Sequence, residues 1–171
     1  HESEPPYAYG GGVRVGGSAS FVNCALYGNV ASTGGGLFIY DGGSATLNSC
    51  QIYQNEASSV GVWYGHGFGV GGGFFIEGDA TLNSCQIYNN EATYGEGGGL
   101  MIYGDAALNN CQIHNNEASF GVGLYITSAA HAVLTCCTVE DPVHGNYEEH
   151  KCPPPSPPSA PPPPLPPPLP P

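Results

Sequence analysis

One nine-residue segment occurs three times in this chain in nearly the same form. It reads ATLNSCQIY at residues 45–53 and 80–88, and AALNNCQIH at residues 106–114. Each copy follows a Gly-Gly-Gly-apolar run and precedes Asn-Glu-Ala, and degenerate copies lie at residues 21–31 and 134–139. Such repetition predicts a solenoid, in which neighbouring units bury one another's apolar faces.

The glycine runs set the period of the repeat. The third glycines are Gly12, Gly36, Gly73, Gly99 and Gly123, which are separated by 24, 37, 26 and 24 residues. The second interval is long because a Gly- and aromatic-rich insertion occupies residues 58–70. We therefore predict about five coils of about 24 residues, with a loop after the second coil.

Alternation within a coil predicts which side chains face the core. We call the equivalent positions of successive coils a column. Arg14 shares a column with Phe38, Phe75, Met101 and Tyr125. Arginine is rarely buried, so this column should face outward and its flanking columns inward. The period of two, broken by Gly and Asn, predicts short strands and no helix.

Two further columns carry one residue type each. One column is predicted to face inward and consists of Cys24, Cys50, Cys85, Cys111 and Cys137. The other lies at a corner and consists of Asn29, Asn55, Asn90 and Asn116. Stacked asparagine amides can satisfy one another and the backbone of the turns. Buried cysteines behave as small apolar residues, and we expect these five to remain mostly thiols.

The unit Gly-Gly-Gly-apolar-x-Ile followed by Cys-x-Ile-x-x-Asn-x-Ala resembles the repeats of right-handed parallel β-helix proteins, particularly the polymorphic outer membrane protein type. The resemblance covers residues 10–140 and implies an all-β, right-handed parallel β-helix. Residues 82–92 also fit the leucine-rich-repeat template, but the Gly-led, strand-like half of the unit does not. β-Helices of this kind occur in adhesins, surface proteins and polysaccharide-acting enzymes, so the resemblance implies a fold and no single function.

Composition divides the chain into four parts. We assign residues 1–9 to an N-terminal cap or extension, 10–140 to the β-helix, 141–152 to a C-terminal cap and 153–171 to a tail. Fourteen of the nineteen tail residues are proline. The tail should therefore form an extended polyproline II rod of about 60 Å, at about 3.1 Å per residue. A semi-rigid linker or an SH3-type ligand is the alternative, although the basic residues that orient such ligands are missing.

The Ser-Pro-Pro and poly-Pro runs of the tail resemble the hydroxyproline-rich glycoproteins of plant and green-algal extracellular matrices. This resemblance implies hydroxylation and O-glycosylation of the tail. The residues concerned are Pro153, Pro154, Pro155, Ser156, Pro157, Pro158, Ser159, Pro161, Pro162, Pro163, Pro164, Pro166, Pro167, Pro168, Pro170 and Pro171.

Charge and cysteine usage bear on location. Two basic residues, Arg14 and Lys151, stand against fourteen acidic ones, and the net charge of −12 argues against binding nucleic acid or anionic membranes. No apolar stretch is long enough to span a bilayer. The chain contains no recognisable signal peptide and starts at His1, so we expect a mature, processed or partial sequence rather than a cytosolic one.

One cysteine pair is predicted to be bonded. Cys136 occupies an outward corner column, and Cys152 ends the region before the tail. We predict a Cys136–Cys152 disulfide that closes a cap over the last coil and indicates an oxidising compartment.

Catalytic chemistry has weak support. Gly65-His66-Gly67 matches a short polygalacturonase motif, and carboxylates are present at Glu77, Asp79, Glu96 and Asp105. The clustered aspartates and the Arg-x-Lys motif of that family are not recognisable here. We predict that the protein is not an enzyme and keep a polysaccharide hydrolase or lyase as the weakest alternative.

No cofactor or metal is predicted. His144, Glu148, Glu149, His150 and Cys152 match no standard zinc spacing. The outward acidic column Glu56, Glu91 and Glu117 could hold calcium between coils, but such columns are more often a solvated face.

Outward aromatic residues form three candidate interfaces. The first is an apolar stripe of Phe38, Phe75, Met101 and Tyr125, and the second is a ladder of Tyr27, Tyr53, Tyr88 and His114. The inserted loop adds Trp63, Tyr64 and Phe68. Contiguous exposed apolar surface marks partner sites. The alternative is that the loop folds back and covers the stripe.

These features predict a structural subunit of an extracellular, glycosylated filament or cell-wall assembly. Its partners would be copies of itself, held through β-helix faces and the Pro-rich tail. A surface adhesin or carbohydrate-binding module that uses the aromatic ladder and the loop is the second hypothesis.

Overall fold

The computed structural model describes residues 9–58 and 69–153, with the Tyr94 side chain excepted. This part of the chain contains twenty-one strands and no helix. All the strand pairs are parallel, and they join equivalent segments of successive coils. The predicted all-β parallel solenoid is confirmed.

Four parallel sheets form the sides of the solenoid. Sheet 1 contains β1 (Val13–Val15), β5 (Leu37–Ile39), β9 (Phe74–Ile76), β13 (Leu100–Ile102), β17 (Leu124–Ile126) and β20 (Val143–His144). Sheet 2 contains β2 (Ser18–Val22), β6 (Ser44–Asn48), β10 (Asp79–Asn83), β14 (Asp105–Asn109), β18 (His131–Thr135) and β21 (Glu148–His150). Sheet 3 contains β3 (Ala25–Tyr27), β7 (Gln51–Tyr53), β11 (Gln86–Tyr88), β15 (Gln112–His114) and β19 (Thr138–Val139). Sheet 4 contains β4 (Val30–Ala31), β8 (Glu56–Ser58), β12 (Glu91–Glu96) and β16 (Glu117–Phe120).

The strand register confirms the columns deduced from the sequence. Val13 pairs with Leu37, Leu37 with Phe74, and Leu100 with both Phe74 and Leu124. The inward side chains of coils two to four are almost completely buried and form one continuous core with Leu124, Ile126, Ala132 and Leu134 of the fifth coil. Arg14 is exposed, as its use as the outward marker requires.

Close backbone packing explains the glycine runs. A Cβ atom on Gly72 would lie 2.5 Å from the Glu91 carbonyl oxygen and 2.4 Å from that of Gly98. No side chain fits there, so only glycine allows the turn between sheet 4 and sheet 1. The opposite corner uses a left-handed residue in each coil, including Ser49, Ser84 and Cys136, with φ of 53° to 55°.

Residues 141–152 extend the solenoid as a partial sixth coil. Strand β20 pairs with β17, and β21 pairs with β18, both in parallel. The segment predicted as a cap therefore continues sheets 1 and 2. No described strand continues sheets 3 and 4 in this coil. The solenoid consequently has four coils with a strand in every sheet, a fifth coil with no described strand in sheet 4, and a partial sixth coil.

The prediction that the apolar stripe on sheet 1 is exposed is wrong. Phe38, Phe75 and Met101 are 2 %, 7 % and 1 % exposed and form a second apolar cluster outside the main core. Tyr40, Val70 and Tyr125 pack against this outer cluster. The column does point away from the coil interior, but a further layer of side chains covers it. Its burial removes the stripe as an accessible partner surface.

Candidate functional site

The predicted aromatic ladder on sheet 3 is present as a continuous stack. Ring centroids are 5.1 Å apart for Tyr27–Tyr53 and Tyr53–Tyr88, and 5.4 Å apart for Tyr88–His114. The ring planes differ by at most 9°. The spacing follows the strand separation of the sheet, because each ring stands on a directly paired residue.

Stacking determines which parts of the rings a partner can reach. Both faces of Tyr53 and of Tyr88 meet neighbouring rings, so their edges and phenol groups remain for contact. Tyr27 is 58 % exposed because its outer face has no ring above it among the described residues. The ladder therefore offers a row of tyrosine edges, with one ring face at its N-terminal end.

An inner asparagine ladder holds the adjoining corner. The Nδ2 groups of Asn29, Asn55 and Asn90 donate to the Oδ1 atom of the next asparagine at 2.9 to 3.0 Å. Asn116 completes the ladder and donates at 2.8 Å to the Asp141 carboxylate. A carboxylate only accepts hydrogen bonds, so Asp141 ends the ladder.

The structure also contains features that the sequence reasoning missed. A second ladder on sheet 2 links Asn109, Asn83 and Asn48 at 2.9 Å and donates in the opposite direction. Its signal was the Leu-Asn pair in each of the three repeats. The sequence signal for the outer cluster was Tyr40 and Tyr103, which directly follow the apolar sheet 1 strands β5 and β13.

The inward cysteine column consists of free thiols. Cys50, Cys85 and Cys111 are buried, while Cys24 and Cys137 at the two ends are half-buried. A hydrogen bond from the Cys111 thiol lowers the pKa of Cys137 to about 7. Hydrogen bonding to Cys137 and Cys85, together with burial, raises the pKa of Cys111. The half-buried thiol at the C-terminal end of the column therefore has a lowered pKa.

Cys136 and Cys152 form the predicted disulfide, with their Cα atoms 4.8 Å apart. The bond attaches the last described residues to the corner of the fifth coil. Cys136 occupies a left-handed corner position, which aims its side chain outward as its column predicts.

The candidate catalytic carboxylates do not form a clustered site. Asp79 and Asp105 are exposed neighbours in sheet 2, and they line a shallow depression with His131. Glu77 and Glu96 lie instead near Tyr103 and the outer cluster. Gly65, His66 and Gly67 of the polygalacturonase-like motif lie outside the described residues.

The acidic column Glu56, Glu91 and Glu117 lies on sheet 4, as its register requires. The Thr93 hydroxyl donates to Glu91 at 3.1 Å. Within residues 9–58 and 69–153, no three His, Cys, Asp or Glu side chains converge as a metal site. His144, Glu148, Glu149 and His150 are exposed on the partial sixth coil.

Several predicted site residues lie outside the described residues. They are Trp63, Tyr64 and Phe68 of the inserted loop and residues 154–171 of the tail. Pro153 is described and exposed. Of the predicted interfaces, the structure therefore places only the buried stripe and the accessible ladder.

Parallel sheets, stacked columns and polar corner ladders define a β-helix solenoid. The chain belongs to the right-handed β-helix family, because residues 7–147 match the family described as the right handed beta helix region. No curated protein and no solved structure matches the chain. The described residues include no helix long and apolar enough to cross a membrane.

Proposed function

We propose that this protein is a structural subunit of an extracellular, glycosylated filament or cell-surface assembly. In this assembly, the Pro-rich tail of one copy lies along the tyrosine ladder of another. The observation that carries the proposal is the unbroken, accessible row of ring edges formed by Tyr27, Tyr53 and Tyr88. The repeats are of the polymorphic outer membrane protein type, and the tail is hydroxylated and glycosylated.

The ladder and the tail have complementary hydrogen-bonding chemistry. Proline has no N–H, so a polyproline rod presents only carbonyl acceptors along its backbone. Tyrosine phenols are donors, and the ladder presents them in a straight row. Carbonyl groups of the rod can therefore accept from the phenols while proline rings pack on the ring edges. This mode is related to the recognition of polyproline by aromatic-lined grooves.

The repeats of the two partners also match. One turn of polyproline II rises about 9.3 Å, from three residues at about 3.1 Å each. The ladder rings are 5.1 Å apart, so the length of two ring spacings is close to that of one turn of the rod. A preformed rod also loses little conformational entropy on docking, which favours binding.

Two further observations support a structural role. The Cys136–Cys152 disulfide fits an oxidising, extracellular compartment. Sugars that stack on aromatic platforms need open ring faces, whereas both faces of Tyr53 and Tyr88 are occupied. The ladder geometry therefore favours the filament over the carbohydrate-binding hypothesis.

The test removes the phenol groups and keeps the rings. The variant Tyr53→Phe/Tyr88→Phe should bind a synthetic peptide of residues 153–171 about tenfold or more weakly, because two hydrogen bonds contribute roughly 1 kcal/mol each. Fluorescence anisotropy with the full chain measures this, and electron microscopy should show fibres from the unchanged chain and none from the variant.

Tyr147→Phe is the matched control, since Tyr147 is exposed on the sixth coil, away from the ladder. This variant should bind the peptide with unchanged affinity, whether the peptide contains proline or hydroxyproline. Unchanged peptide affinity and normal fibres from the double variant would refute the proposed contact.

A further inference from the structure

The first coil ends the solenoid with unpaired strands. Strands β1, β2, β3 and β4 each lie last in their sheets, and no described strand pairs with their outer edges. The core columns are also open here. Val13, Ala19, Phe21, Cys24 and Leu26 are only partly buried, whereas their equivalents in the next coil are almost fully buried.

Exposed apolar side chains are concentrated on this same coil. Seven large apolar side chains are exposed in the described part of the chain, and four of them lie on the first coil. These four are Tyr9, Val22, Tyr27 and Val30. Exposed apolar side chains that are concentrated on one part of a surface can mark a contact site.

The edge of β2 carries hydrogen-bonding groups that a second strand can use. The Gly17 carbonyl and the Asn23 N–H both point to the second coil. Backbone direction alternates along a strand, so Ser18, Ser20 and Val22 direct their N–H and C=O groups to the outer edge. At five residues, β2 is the longest strand of the first coil.

Charge makes this end suited to contact with a like surface. Residues 9–40 contain no aspartate or glutamate and one basic residue, Arg14, although the whole chain carries −12. All fourteen acidic residues lie outside residues 9–40. Self-association through the first coil therefore meets little charge repulsion within that coil.

The C-terminal end does not complement this surface. Glu149 pairs with Leu134 and so extends the inward column of sheet 2, which consists of Phe21, Leu47, Leu82, Leu108 and Leu134. A first coil stacked on this end would press Phe21 against a carboxylate. The asparagine ladder ends at the Asp141 carboxylate, which cannot donate to Asn29 of another copy. Inward-pointing charges and an incomplete last coil are devices that stop edge-to-edge stacking.

We propose that the first coil binds the first coil of a second copy about a two-fold axis. Strand β2 pairs with its symmetry mate in antiparallel orientation, centred on Ser20, and the half-exposed core residues Phe21 and Leu26 are buried. Such an isologous contact closes after two copies. The inference deepens the proposed assembly, on which it rests for its setting, by naming one of its contact surfaces.

Two variants of the full chain test the dimer. Ser20→Pro removes a donor from the outer edge and keeps the bonds to the second coil. Val22→Lys places a charge among the exposed apolar side chains of the first coil. Each should raise the dimer dissociation constant at least 100-fold in sedimentation equilibrium, with an unchanged circular dichroism spectrum. Phe120→Lys is the control, because Phe120 is about as exposed as Val22 but lies on the fourth coil, and it should leave the dimer intact.

A covalent readout identifies the orientation. Ser20→Cys should form a disulfide-linked dimer under mild oxidation, whereas Ser128→Cys, on an exposed turn of the fifth coil, should not. A monomer at all concentrations, or a Ser20→Cys chain that does not cross-link, would overturn the inference, as would head-to-tail polymers.

The ladder variant Tyr53→Phe/Tyr88→Phe separates the two proposals. If this variant loses its fibres and keeps the dimer, both proposals are supported. If it forms normal fibres and keeps the dimer, only the tail contact is refuted.

Discussion

Tyr103 lies at the margin of the outer cluster, with its ring centroid 5.3 Å from that of Phe75. Partial burial raises the pKa of its phenol above the ordinary 10.0, and the nearby Glu96 and Glu77 carboxylates add to the effect. The folded protein therefore holds this proton more tightly than the unfolded chain. The corresponding stability is fully present below pH 10 and is lost as the pH rises through the raised pKa.

We predict that Tyr103→Phe reduces the alkaline loss of stability. The variant keeps the ring contact with Phe75 and has no phenol to ionise near the two glutamates. Its melting temperature should fall less than that of the unchanged protein between pH 9 and 11, while the two should be similar at pH 7. Tyr27→Phe, on sheet 3, is the control and should follow the unchanged protein. Parallel alkaline curves for all three proteins would contradict this explanation.

The residues of the outward column show how far sequence reasoning reaches. Alternation placed Phe38 and Arg14 correctly on the outer side of sheet 1, because side-chain direction follows from strand periodicity. It did not predict that Phe38 is 2 % exposed while Arg14 is exposed. That difference depends on Tyr40, Tyr103 and Val70, which lie in turns and loop ends whose paths no periodic pattern determines.

Each asparagine ladder behaves as one structural element, because the amides of successive coils are hydrogen-bonded to one another. Asn90 is 1 % exposed and donates to the Ile52 carbonyl at 3.0 Å. It also accepts from the backbone N–H of Asn55 at 3.1 Å. Asn83 makes amide bonds of 2.9 Å in the second ladder, but it is only partly buried. The two positions lie in one coil and differ in access to water.

We predict that Asn90→Ala destabilises the protein far more than Asn83→Ala. The first change leaves buried backbone groups without partners, which costs about 2 to 4 kcal/mol, whereas water replaces the lost bonds at Asn83 at a cost below about 1 kcal/mol. Urea unfolding followed by circular dichroism measures both. Equal losses would mean that the inner ladder adds nothing beyond ordinary surface amides.

At the level of strands, the repeat predicted the register of the full coils and the position of the insertion. It did not predict that β20 and β21 continue two of the sheets. Residues 143–150 lack the glycine run and the cysteine of the repeat, and Glu149 occupies a core column. Their pairing depends on backbone hydrogen bonds and on the nearby disulfide, neither of which leaves a periodic signal.

The whole molecule is a stack in which each coil contacts only its neighbours. In such solenoids, stability is approximately the sum of coil and interface terms, so the ends can open while the middle stays folded. We expect the partial sixth coil to be the least stable layer, because all three residues of β21 are exposed. The Cys136–Cys152 bond closes a loop with a sequence separation of 16 residues around this layer.

We predict that Cys152→Ser opens the sixth coil and leaves the other five folded. A disulfide that closes a loop of this length contributes about 3 kcal/mol, which exceeds what three exposed strand residues can replace. Hydrogen exchange should show lost protection at residues 143–150 and at the Asn116 amide, which donates to Asp141. Protection in sheets 1 and 2 at the second and third coils should not change. Cys24→Ser, at the N-terminal end of the cysteine column, is the control and should keep the sixth coil closed. Global unfolding of the Cys152→Ser chain would show that the stack is one cooperative unit and that this bond supports all of it.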